Sequence, residues 1–370
     1  MKAALGLACA GGTRLALAND QLAPAVDRRV EFASIVFRLA GVKEFAELAA
    51  SPYTQAIDRH FHAYSRHPAI SYVKQMNEQL GRKGVDVGAW EVLSLALHVN
   101  RVPALEPLVA GGDANAADDW DNRELLQAEL LNRLRAFCRD AHCQEFFDSQ
   151  AEYFESIERA ITYGGMRVCK DWFERFLAVQ PLERYAPIVS LLGVGDLSYI
   201  RVNFTSTRRN THTIVALAPD ANPRWPLKAS RELVARSTVH EYTHAFVNQL
   251  VEQQLASLVA AAERLLALQQ VATLVRGTFY DNPRYLLYES LVRAISIRYF
   301  LDNAGSGFEL EKELLSQERA GFSWMRGLLG KLDEYRSHRE RYSTFRAFMP
   351  EIVKFFDREA IGESAWIGWA

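Results

Sequence analysis

The sequence has little cysteine, four residues in 370, which is too few for a disulfide-built scaffold. It also has almost no net charge. Its 43 basic and 45 acidic residues leave a balance of −2, which gives no reason to expect nucleic acid or an anionic surface as a partner. It lacks a membrane-spanning run. The most apolar later stretch, Leu250 to Val275, is interrupted by Glu252, Glu263 and Arg264, whereas a span needs about 18–20 largely uncharged residues. Neither the phosphate-cradling G-x-x-x-x-G-K-[ST] pattern nor a G-x-S-x-G elbow occurs. There is no repeat of fixed period and no low-complexity tract. What is present is an ordinary globular composition, 49% hydrophobic and 24% charged, with length enough for a large core or several domains.

Residues 1–24 read as a signal or a flexible N-terminus. Lys2 is followed by the apolar run Ala3 to Ala10 and by two A-x-A sequences, Ala8-Cys9-Ala10 and Ala16-Leu17-Ala18, as in a secretory signal. The run is short, however, and Arg14 interrupts it. Exported and cytoplasmic locations both stay open. Removal of this segment would leave Cys138, Cys143 and Cys169, an odd number that does not suit an extracellular disulfide framework.

The pattern predicts a predominantly helical α+β protein. Residues 25–186 form a helical N-terminal region, with helical spacing at Val30, Ile35, Val36 and Leu39 and a more buried segment at Leu93, Leu95 and Leu97. Pro103, Pro107, Gly111 and Gly112 mark a loop over 102–121, and Glu124 to Ile161 is again helical. The character changes near residue 187. Tyr199 to Phe204 and His212 to Leu217 are β-branched, partly alternating runs separated by polar Ser206 to Asn210, a hairpin with a loop longer than two residues. Pro219, Pro223 and Pro226 follow, and Ser230 suits an N-cap. Val251, Leu255, Leu258, Val259, Ala262, Leu265 and Leu266 predict a packed amphipathic helix. Residues 187–302 are read as the catalytic region and 303–370 as a helical C-terminal region.

One motif carries chemistry. His240-Glu241-Tyr242-Thr243-His244 is H-E-x-x-H. On a helix the two imidazoles stand one turn apart on one face and reach a single ion, with Glu241 beside them as a base for its water. A shuffled chain of this composition would carry the pattern on the order of 0.02 times. Thr238, Val239, Tyr242, Thr243, Ala245 and Phe246 are uncharged, which suits a helix beneath a cleft. The preceding strand pair offers an edge that can hold an extended peptide by backbone hydrogen bonds.

A catalytic zinc needs a third protein ligand and an open position. Tyr285 to Ala294 forms a further apolar helix with Asn282 as its cap and Pro283 in its first turn. Glu289 lies on it, and a carboxylate among Leu, Val and Ile needs a partner. Zinc is one such partner; Arg293, one turn on, is another.

The arrangement of His240, Glu241 and His244 followed by Glu289 resembles the gluzincin class of metallopeptidases. The His-Glu-Tyr-Thr-His-Ala-Phe-Val-Asn and Glu-Ser-Leu-Val-Arg-Ala runs are also similar to a bacterial family of metallopeptidase-like proteins built on a domain of unknown function. The resemblance implies a zincin-like frame, Zn2+ on His240, His244 and Glu289, and cleavage of a peptide or protein substrate with Glu241 as general base. Oxyanion donors would come from Tyr285 and Arg293, which share the Glu289 face. The sequence departs from that class at Arg293, where an acidic residue often orients a ligand histidine, so a backbone carbonyl is expected in that role. The rival readings are a non-catalytic helical binding protein that retains the frame and a zinc hydrolase with a non-peptide substrate.

Other constellations are weaker. His60, His62 and His67 lack a clustered fourth ligand. Cys138, His142 and Cys143 read as a buried thiol pair and its neighbour. Arg336, Arg339, Arg341 and Arg346, interleaved with Glu334 and Glu340, read as a solvated helical face. Arg208 and Arg209 are placed at the hairpin tip. Oligomeric state is not readable.

Overall fold

The computed structural model of the chain describes residues 21–22, 24–48, 50–83, 88–108, 127–163, 168–180, 183–192, 198–205, 208–216, 228–276, 278, 280–303 and 307–367. The predicted leader up to residue 20, the later part of the 102–121 loop and the prolines at 219, 223 and 226 lie outside them. The described residues are predominantly helical, with a four-stranded mixed sheet and a two-stranded pairing of Gln21–Leu22 with Val168–Cys169. No described helix is long and apolar enough to cross a membrane.

The chain divides into two compact units, each assembled from separate stretches of sequence. The first is Leu22–Arg167 with Glu183–Ser237. Its central helix, Arg28–Leu39, starts where the Asp27 side chain accepts from the Arg29 N–H, with Glu31 in the first turn. Every residue from Val30 to Phe37 is buried, so this helix is a core element rather than a surface amphipath. Pro52–Phe61 begins with a capping box between Ser51 and Thr54 and with proline in its first turn. Phe61 lies 5.9 Å from Phe137 and 4.9 Å from Phe146, ring centre to ring centre, knitting separate helices into one aromatic core.

The sheet of this unit has four strands. Glu183–Ser190 runs parallel to both Ala25–Val26 and Arg208–Ala216, and Ser198–Thr205 closes the sheet antiparallel to Arg208–Ala216. Ile188 stands opposite Ala25 on one side and Ile214 on the other. The expected hairpin is present, but its predicted loop is too long. Arg208 and Arg209 belong to the strand, Arg208 paired with Thr205 at the turn end of the ladder and Arg209 with Asn203. Polar residues are compatible with strand backbone when ladder bonds form on both sides. Ser230 is likewise inside the helix Lys228–Glu252 and not its N-cap. The helical stretch after residue 127 is broken into Ala128–Asp140, Cys143–Ser149 and Ala151–Tyr163. Cys138 and Cys143 are both free and buried. His60 and His67 are engaged separately, with the Ala141 carbonyl at 2.9 Å and Asp140 at 3.3 Å.

One polar group lies deep in this core. Glu31 is fully buried and accepts from the Leu191 N–H at 2.8 Å. Burial pushes its carboxyl up to about 8, against the opposing hydrogen bond from the Leu191 N–H. The folded chain therefore keeps a proton that the unfolded chain releases near the ordinary value of 4.5. The stability this contributes is complete below that value and is lost as pH rises through about 8. Glu31→Gln holds the group neutral at every pH. Its stability relative to the parent is expected to rise between about pH 4.5 and 8 and to level off above that, by at most about 5 kcal/mol in total. A pH-independent difference between the two melting curves would show that Glu31 does not hold that proton.

The second unit is built chiefly from Val168–Leu182 and Thr238–Ala370. It takes the helix Lys228–Glu252 from Thr238 onward, followed by Leu255–Ala267, Gln269–Val275, Pro283–Asn303, Leu310–Arg319, Met325–Ser337 and Phe345–Ile367. The expected amphipathic helix spans Leu255–Ala267 and buries Leu258, Ala261, Ala262 and Leu265; Val251 belongs to the helix before it. Phe173, on the short helix Lys170–Leu177, fixes the arrangement. Its ring lies 5.0 Å from Tyr242 and 5.9 Å from Phe246 on one helix, and 5.1 Å from Tyr299 on another. In the basic stretch near residue 340, Arg336, Arg341 and Arg346 are exposed as expected, and Arg339 is the exception. Arg339 donates to the Phe176 carbonyl at 2.7 Å and to the Arg175 carbonyl at 3.3 Å, satisfying orphan carbonyls at a helix end.

Candidate metal centre

The H-E-x-x-H segment is helical throughout. Around it Val239, Tyr242, Thr243, Ala245, Phe246 and Val247 are buried, so the helix is packed on most of its circumference. His240 and His244 are only partly buried, and their rings stand 5.1 Å apart, centre to centre. Glu241 is buried beside them.

The third residue arrives on Pro283–Asn303. Asn282 caps that helix as expected, accepting from the Arg284 N–H at 2.9 Å, and Pro283 opens it. Trp324 donates to Ser290 at 3.0 Å, which ties down the turn that carries Glu289. The Glu289 carboxylate faces both imidazoles: Oε2 is 3.5 Å from Nε2 of His240, and Oε1 is 3.3 Å from Nε2 of His244. Arg293 Nε also reaches Glu289, at 3.1 Å. The two partners that the sequence offers for this carboxylate are therefore both present.

Donor spacing tests the fit of a metal. Tetrahedral ligands about 2.0–2.1 Å from zinc stand about 3.3–3.4 Å from one another. The two nitrogen–oxygen separations, 3.5 Å to Oε2 and 3.3 Å to Oε1, are close to that edge length, although each imidazole faces a different oxygen of the carboxylate. All three donor atoms lie within 4.8 Å of one another, and among the described residues this is the cluster of His, Cys, Asp and Glu with that property. Two imidazoles and a carboxylate form a donor set that suits a catalytic divalent ion.

The electrostatics of the three groups among themselves are those of an ion pair. Burial by itself would push the His244 imidazole down, but Glu289, Glu241 and Asn248 together raise it to about 8. Burial would raise the Glu289 carboxyl, yet the two imidazoles hold it well below the usual carboxylate range. His244 Nδ1 faces Asn248 Oδ1 at 2.9 Å, which leaves Nε2 as the nitrogen aimed at Glu289. The orienting partner of this imidazole is thus an asparagine side chain rather than the expected backbone carbonyl. Asn248 follows His244 by one turn, so its signal in the sequence was an amide at i+4 on the ligand face.

The domain of unknown function DUF4932 matches residues 22–355. The chain belongs to this family. No curated protein and no solved structure matches it. The matched span includes all three donors of this DUF4932 chain and the segment that supports them.

The two expected oxyanion donors are placed differently. Tyr285 is 39% exposed, with its ring 5.9 Å from Tyr288. Arg293 has its three nitrogens directed at protein: Nε at Glu289, Nη1 at Gln317 Oε1 at 2.9 Å, and Nη2 at the Tyr280 hydroxyl at 2.8 Å. Tyr280 and Gln317 carry no recognisable motif, and nothing in the sequence marks them as neighbours of Glu289.

Proposed function

We propose that this protein is a zinc-dependent hydrolase that cleaves peptide bonds. The observation that carries the reading is a single carboxylate, from a separate helix, at 3.5 and 3.3 Å from both H-E-x-x-H imidazoles. His240, His244 and Glu289 would hold the ion, and the partial exposure of all three suits a site that keeps one position open. Bound there, zinc supplies Lewis acidity to a carbonyl oxygen and lowers the pKa of a water towards about 7.

The remaining work falls to the chain. Glu241 is buried beside the two imidazoles. It accepts a proton from the attacking water and delivers it to the leaving amine. Asn248 holds the His244 ring in one orientation through Nδ1. Tyr285, four residues before Glu289 and exposed, is the proposed hydroxyl donor to the developing oxyanion.

The test combines metal analysis with a peptide library. The parent protein should hold about one zinc per chain, and His240→Ala should hold none. Loaded protein should cut peptides that chelator-treated protein leaves intact. Stoichiometric zinc without cleavage of any peptide would move the reading to a different substrate or to a binding protein; absence of bound metal would end it.

A further inference from the structure

We infer that Arg293 is the positioning residue of the Glu289 carboxylate, and that it works as a clamp anchored on Tyr280 and Gln317. The role of Glu289 as a metal ligand rests on the reading above; the clamp itself rests on contacts. Each guanidinium nitrogen reaches a different segment: the Glu289 carboxylate at 3.1 Å, the Gln317 amide oxygen at 2.9 Å and the Tyr280 hydroxyl at 2.8 Å. Its central carbon lies 5.1 Å from the Tyr280 ring centre and 4.6 Å from that of Phe322, so aromatic faces hold the guanidinium as well as hydrogen bonds do.

The anchors are themselves fixed. Gln317 is buried, and its amide donates to Glu313 at 2.7 Å. Phe322 is fully buried, and its N–H donates to the Gln317 carbonyl at 3.0 Å. That return is made at Gly321, whose φ of +97° and close approach to Val275 suit glycine alone. Three residues outside the Glu289 helix, Tyr280, Gln317 and Phe322, therefore converge on one guanidinium, and that guanidinium donates to the oxygen that also faces His240.

A free glutamate side chain has three rotatable bonds and loses much entropy when it is fixed. Arg293 fixes Glu289 in advance, with a planar fork whose nitrogens point in set directions. It also supplies the counter-charge that a largely buried carboxylate needs before any cation arrives. Lysine would keep the charge but has a single nitrogen and no planar face. The clamp therefore predicts that charge alone does not suffice.

The experiment measures zinc affinity by chelator competition on folded protein, with the absorption spectrum of the cobalt-substituted protein as a second readout. Arg293→Met is expected to lose affinity 10–100-fold and to change the cobalt spectrum, as losses of ligand-supporting contacts do. Arg293→Lys should lose at least 10-fold. Tyr280→Phe should lose less, and its effect should vanish in the Arg293→Met background. Full affinity in Arg293→Lys, or additive losses in the double variant, would overturn the clamp. Should Arg293→Met fail to fold, Tyr280→Phe with Gln317→Leu tests the same contacts. Crystal structures of metal-free parent and Arg293→Met supply a readout without zinc: the carboxylate should turn away from the imidazoles only in the variant. If the parent binds no zinc, the functional reading fails while this structural comparison still decides the clamp.

Discussion

Glu241→Gln is expected to lower peptide turnover by about 10²–10⁴-fold while leaving one metal bound per chain. The two halves of that outcome separate the base from the ligands. Glu241 lies buried within the ligand helix, and His240, His244 and Glu289 form the donor cluster without it. Glutamine has nearly the same shape, so packing is preserved while the proton acceptor is lost. Steady-state cleavage of a selected peptide, with zinc measured on the same sample, checks both. Turnover near the parent level would remove Glu241 from the mechanism. Loss of zinc would show that it supports the ion rather than the water.

The second large effect is structural. Phe173 is fully buried and contacts Tyr242 and Phe246 on the H-E-x-x-H helix as well as Tyr299 on the Glu289 helix. Removing its ring leaves a cavity between the two helices that carry His240, His244 and Glu289. Phe173→Ala is expected to cost about 3–5 kcal/mol in denaturant unfolding. Its folded fraction should also bind zinc more weakly than the parent, because the spacing of the three donors depends on how those helices pack. A variant that loses stability but keeps parental zinc affinity would show that the donor geometry is set elsewhere. This outcome differs from that of Arg293→Met, which acts on one side chain and leaves the helix packing intact.

The reach of the sequence follows interaction range. His240 and His244 could be assigned to one face because helix geometry is periodic and local. Asn282 and Pro283 could be assigned to the start of the next helix because capping involves residues two or three apart. The hairpin is legible as two strands, but Arg208 and Arg209 look like turn residues when the ladder partners are unknown, although they lie in the strand. The parallel strand Glu183–Ser190 that flanks it gave no comparable local signal, since its partners are distant in sequence.

The candidate site divides in the same way. Two imidazoles, a base and a capped helix bearing one carboxylate are written locally, and they determined which chemistry to consider. Whether Glu289 belongs to zinc or to Arg293 could not be read from that pattern, because an i,i+4 ion pair and a distant ligand contact make the same demand on a glutamate. Tertiary packing brings both partners to the same carboxylate. Phe173 joins the two helices, Asn248 turns His244, and Tyr280 with Gln317 fixes Arg293, so that one carboxylate meets both imidazoles and the guanidinium together. The helix period sets where neighbours on one face stand, but only the packing of separate segments sets distances near 3 Å between side chains far apart in the chain.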